Sequence, residues 1–125
     1  MVLTDEKRKE LGFIKLQGKW YSTYKALLNV AHEQFKNKFS VQTQIISCDF
    51  EKKEALCKCV ITLITPGGEK VKYGGYGDAT TYNTTLMVQG AFVRMSETRS
   101  ICRALRIMTN VAETAQEELG EETKK

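Results

Sequence analysis

The spacing of apolar and polar positions divides the chain into a short series of elements. Residues 13–17, FIKLQ, alternate and read as a short strand, with Gly18 as its terminator. Ser22 or Thr23 offers an N-cap for the run YKALLNVAHEQF, which sets Tyr24, Leu27, Leu28, Ala31 and Phe35 at helical spacing. Its basic end, Lys36 and Lys38, suits the negative pole of the helix dipole. Residues 39–50 (FSVQTQIISCDF) and 55–65 (ALCKCVITLIT) are rich in β-branched side chains and predict two strands joined by the charged turn EKKE. Pro66-Gly67-Gly68 makes a second turn, after which Lys70 and Lys72 alternate with Val71 and Tyr73 in a third strand. Three successive strands with one helix before and one after predict a single α+β domain: helix, three-stranded antiparallel β-meander, helix.

The third strand runs into Gly74, Gly75 and Gly77. Glycines here either bend the strand and release it toward the next helix, the preferred reading, or let its backbone come close to a ligand. Neither phosphate-loop spacing is present. Asp78 is an N-cap candidate for a helical turn through TTYNTTLMV, and Gly90 separates that turn from the stretch 91–110. This last stretch holds four of the five arginines of the chain, Arg94, Arg99, Arg103 and Arg106. Wound at about 100° per residue, Arg99, Arg103 and Arg106 share an arc of roughly 60° opposite Ile101, Ala104, Leu105, Met108 and Ala112. The expectation is a helix with one core face and one guanidinium stripe, stopping near Asn110. Arg94 and Glu97 fall on the apolar side, three residues apart, as a structural ion pair or as contacts to a neighbouring subunit.

Length and composition set limits. The 125 residues, 42% hydrophobic and 27% charged, suffice for one core and not for two. No apolar run approaches the roughly 20 residues that cross a bilayer, and the charged start lacks an apolar leader, so a soluble cytoplasmic or nuclear protein without a membrane is expected. Residues 1–12 read as a flexible lead-in, 13–112 as the domain and 113–125 as an acidic tail that frays or continues as helix. Residues 1–112 hold seventeen basic and ten acidic side chains, an excess of seven that the net charge of +4 understates. A basic body with an acidic end suits a polyanion partner.

Catalytic chemistry is hard to assemble from these residues. Cys48, Cys57, Cys59 and Cys102 have no metal or redox spacing, and His32 has no obvious co-ligand, so neither metal nor cofactor is expected. Cys57 and Cys59 point to one face of a strand as small buried groups. No nucleophile lies near His32 in sequence, and the carboxylates form no two-metal cluster. The chain reads as a binder, not an enzyme.

The segments FIKLQGKWYSTYKALLNVAHE, YGDA and FVRMSETRSICRALRIMTNVAETAQEEL resemble the DdrA family of DNA-damage-response proteins, within the single-strand annealing superfamily of recombination and double-strand-break repair. The likeness spans residues 13–119, and its most specific piece is R-M-x-E-T-R-x-x-x-R-A-L-R, Arg94 to Arg106. It implies subunits side by side in a ring or arc, with single-stranded DNA held by its backbone in a basic groove between sheet and helices. On that basis the chain anneals complementary strands or protects DNA ends, and is nucleoid-associated when DNA is bound. Arg103 and Arg106 match the family's basic pair, Arg99 extends the stripe, and Lys25 lies one residue from a basic position of the eukaryotic relatives. Lys70, Lys72, Tyr73 and Tyr76 join the candidates by charge and location alone. The chain departs from the family pattern at Thr80, Thr81 and Tyr82, at Gly90, and at Cys102, which stands where eukaryotic relatives are basic. Two other readings remain: an assembly module whose arginine helix pairs with acidic groups of neighbouring subunits, the acidic tail among them, and a single-stranded RNA-binding module.

Overall fold

The computed structural model describes residues 3–119. The expected helix, antiparallel meander and helix are all present, and they form one α+β domain. The polar lead-in is a helix, α1 (Asp5–Leu11), capped by the Thr4 hydroxyl, which accepts from the Lys7 N–H at 3.1 Å, and ended by Gly12 at φ 108°. Leu11 is buried in the core, so the lead-in belongs to the domain.

A small hairpin follows, β1 (Ile14–Leu16) with β2 (Lys19–Tyr21). Gln17 and Gly18 both adopt positive φ, as a two-residue hairpin loop requires, so Gly18 turns the chain back into a second short strand. Helix α2 (Tyr24–Phe35) is capped by Thr23, whose hydroxyl accepts from the Ala26 N–H at 3.0 Å. Ala26, Leu27, Val30 and Ala31 form its buried stripe.

Strands β3 (Phe39–Asp49), β4 (Glu54–Ile64) and β5 (Lys70–Ala79) lie in sheet order β3-β4-β5. The alternation in β4 decides which face is covered. Ala55, Cys57, Cys59, Ile61 and Leu63 are buried toward the helices, which leaves Glu54, Leu56, Lys58, Val60, Thr62 and Ile64 on the opposite face. Directly paired residues share a face, so Lys70, Lys72, Gly74, Tyr76 and Asp78 of β5 look outward with them.

Helix α4 (Phe92–Thr109) packs across β4 and β5 and barely reaches β3, whose side chains are mostly exposed. Its contact seam is made of small residues, Ser96, Ser100 and Ala104, one helical turn apart and set against Gly75 and Gly77. A Cβ on Gly77 would lie 2.2 Å from Ser96 O and Ser100 N, and one on Gly75 2.7 Å from Ala104 N. Gly75 and Gly77 therefore do not bend the strand. β5 pairs without interruption from Lys70 to Ala79, and the missing side chains let a helix backbone lie directly on the sheet.

Asp78 is the penultimate residue of β5 rather than a helix cap. The next residues form a turn in which Asn83 Oδ1 accepts from the Thr80 N–H at 2.8 Å and the Thr84 hydroxyl donates to Thr80 O at 2.6 Å. Only the short helix α3 (Leu86–Gln89) follows before α4. Asn110 ends α4 in the left-handed conformation expected of a stop, at φ 59°.

The chain then returns over α4. Ser22 bridges Ala115 in parallel, with Ser22 N–H donating to Thr114 O at 3.1 Å and Gln116 N–H to Ser22 O at 2.8 Å. Glu113 takes two bonds from Arg8, at 2.7 and 3.1 Å, and a 3-10 turn (Gln116–Glu118) completes the strap. Up to residue 119 the acidic stretch is thus docked rather than frayed, while residues 120–125 of the expected tail lie outside the described residues.

Candidate nucleic-acid interface

The arginines of α4 do not form a free stripe. Arg99 is 3% exposed, and its five N–H donors meet five oxygens. Nε donates to Glu117 O at 2.7 Å, Nη1 to Asp78 O at 2.8 Å and Asn83 Oδ1 at 2.9 Å, and Nη2 to Asn83 O at 2.7 Å and Leu119 O at 3.3 Å. Burial pulls its pKa down from the ordinary value, and the charge of Asp78 opposes that shift. Arg99 pins the end of β5, the following turn and the C-terminal strap together. It has no donor left for a phosphate, which removes it from the expected DNA contacts.

Arg103 and Arg106 are only partly enclosed, with 36% and 24% of their side chains exposed. Both reach Glu118 Oε1, Arg103 through Nε at 3.0 Å and Arg106 through Nη2 at 2.8 Å. Arg103 Nη1 also donates to Tyr76 O on the open edge of β5 at 2.7 Å and lies 3.4 Å from Asp78 Oδ1. The carboxylate these arginines find is in their own chain, whereas the assembly reading supplied it from a neighbouring subunit.

Arg94 and Glu97 do not pair. Glu97 accepts from the Thr43 hydroxyl on β3 at 2.8 Å, and Arg94 is exposed with no ion pair among the described residues. Tyr73 is paired with Ile61 on the helix side of the sheet and is packed against the core, so it stands apart from Tyr76. Lys25 is exposed on the first turn of α2, in the helix layer and away from the outer sheet face.

The outer face gathers the remaining candidates. Lys70, Lys72 and Tyr76 project from β5, joined by Lys58 of β4, whose ammonium sits 5.9 Å from the Tyr76 ring centroid. Gln42 and Gln44 of β3 flank Lys58 on the other side, opposite Val60 and Lys58 in the register. Among the described residues none of the three lysines forms an ion pair. Tyr76 is 54% exposed, enough ring to offer a flat surface. No family model and no curated protein matches this chain. The site is a solvent-open sheet face with three ammonium groups that form no ion pair among the described residues, one aromatic ring and two side-chain amides.

Sequence reasoning overlooked Lys58 and Glu118. The signal for Lys58 lies in Cys57-Lys58-Cys59, since a lysine between two buried positions of a strand must face outward. Glu118 gave no local signal, because its partners lie twelve and fifteen residues away across a chain reversal. Among the described residues no group of three metal-ligating side chains converges, and no helix is long and apolar enough to cross a membrane.

Proposed function

We propose that this chain binds single-stranded nucleic acid, DNA in keeping with the family it resembles, along the outer face of its sheet and the adjoining edge of β5. The observation that carries the reading is the open patch of Lys58, Lys70, Lys72 and Tyr76, whose lysines form no ion pair among the described residues. Ammonium groups grip phosphates without regard to sequence, and an exposed ring stacks on any base. Binding through the backbone leaves base edges free to pair, as strand annealing and end protection both need.

Self-association belongs to the same proposal. β3 is an edge strand whose Val41, Ile45 and Ile46, with Phe50 just beyond its end, are between 36% and 75% exposed, a surface that another subunit would cover. The test is a fluorescence-anisotropy titration with a labelled oligo-dT and an oligo-rU of equal length, at several salt concentrations, together with light-scattering mass. Three lysine contacts predict a slope of log affinity on log salt of about −2, and mass should rise in steps of the subunit when oligonucleotide is added. Absence of binding to either oligonucleotide at low salt removes the proposal; a clear preference for rU moves it to RNA.

A further inference from the structure

Glu118 is an exception among the surface carboxylates. Its side chain is 4% exposed, and both oxygens are engaged: Oε1 by Arg103 Nε and Arg106 Nη2, and Oε2 by the Ala115 N–H at 3.0 Å. The fit is incomplete on the guanidinium side. Arg106 Nε is buried and has no partner, so this arginine offers a fork of which the carboxylate takes one prong. Beside the pair an open groove of about 510 Å³ runs along Gly75, Tyr76, Ile107 and Val111, continuous with the edge of β5 where Tyr76 belongs to the outer face.

We infer that Glu118 occupies an anion site belonging to the nucleic-acid surface, and that a phosphate of the bound strand displaces its carboxylate. This rests on the nucleic-acid reading above and adds its regulation. In the resting protein Arg103 and Arg106 are masked by the chain's own acidic strap; in the complex they extend the lysine patch around the edge of β5. Only the Glu118 side chain has to leave, because Arg99 holds the strap backbone through the carbonyls of Glu117 and Leu119. A phosphodiester brings two acceptor oxygens on one centre and can take Arg106 through Nε and Nη2 together, which the carboxylate does not.

Glu118→Gln keeps the size of the side chain and an acceptor oxygen but removes the competing charge. The full-length variant should bind oligo-dT about tenfold more tightly than the wild type, the weight of one charge-assisted hydrogen bond. Inorganic tripolyphosphate, which reads the anion site without any base, should raise the melting temperature of the variant more than that of the wild type. Equal oligo-dT affinity for both proteins, with no added effect of tripolyphosphate, overturns the inference and leaves the lysine patch standing. A tripolyphosphate effect without oligonucleotide binding keeps the anion site and removes the nucleic-acid reading. Silence in both assays removes both. If Glu118→Gln does not fold, Arg106→Gln asks the same question from the other side: it should weaken oligo-dT binding, and unchanged affinity overturns the inference.

Discussion

Cations stand on both sides of this sheet, and the two sets are used differently. On the helix side Arg99 sends five donors to oxygens of the strand end, the turn and the strap, and Arg103 and Arg106 share Glu118. On the outer side Lys58, Lys70 and Lys72 have no ion-pair partner among the described residues. A planar fork satisfied by buried carbonyls locks structure, and an exposed ammonium with no partner adds little to folding but much to the field seen by a polyanion. Position in sequence does not separate the two roles; the faces of β5 do. Substitutions at Arg99 and along the helix–sheet seam should therefore change stability, and substitutions among the open lysines should change binding.

The largest effect is expected at the seam. In Gly77→Ala the new methyl group meets two backbone atoms of α4 at 2.2 Å, and neither can swing aside as a side-chain tip would. The helix must lift from the sheet, and urea denaturation should register a loss of about 4 kcal/mol or more, or no cooperative fold at all. Wild-type stability in this variant would mean that the helix does not lie on the strand as described. Arg99→Ala comes next. It leaves the carbonyls of Asp78, Asn83, Glu117 and Leu119 without their donor in a buried site, and a loss of about 3 kcal/mol follows from the cost of unsatisfied groups. A stable variant with weakened oligonucleotide binding would instead return Arg99 to the ligand surface.

These two positions also mark how far the sequence could be read. The meander and both main helices were legible because period-two and period-3.6 patterns survive in β4, α2 and α4 without tertiary context. Gly75 and Gly77 were visible as unusual, but their reason lies in Ser96, Ser100 and Ala104, about twenty residues or more away, and no local rule connects them. The arginine stripe was correctly placed on one arc of α4, but Arg99 is buried and Arg103 and Arg106 keep only part of their side chains in solvent. Helical spacing fixes which side chains are neighbours and says nothing of what covers them; here the covering segment is the chain's own residues 113–119, which composition had marked only as acidic. Tyr73 and Tyr76 show the same limit in miniature. Three apart on one strand, they sit on opposite faces, a consequence of period two that charge and location alone did not weigh.

On the open side, replacing Lys58, Lys70 and Lys72 by Ala together should leave folding nearly intact, with each change worth about 0.5 kcal/mol or less. The dependence of oligonucleotide affinity on salt should then flatten, by about 0.7 in slope for every lysine that truly meets a phosphate. Lys25→Ala is the control, since Lys25 is equally exposed in kind but sits in the helix layer. If Lys25→Ala flattens the slope as much as Lys72→Ala does, strand contact is not confined to the outer face, and the division between the two sides fails for binding.

The smallest expected effect concerns the thiols, which compare the covered face with the bare strand beside it. Cys57, Cys59 and Cys102 are buried, and burial holds the Cys59 thiol up at about 11 and raises that of Cys102 as well. A raised thiol pKa keeps the group protonated at neutral pH, and the protonated form is not the nucleophile. Cys48 lies on the edge strand β3 and is exposed. At pH 8 an aromatic disulfide reagent should therefore titrate one thiol in the native protein and four in denaturant. Cys48→Ser should abolish the native reaction without changing stability. A second thiol reacting at a comparable rate would mean that α4 leaves the sheet readily, and the covered face would then be as accessible as the open one.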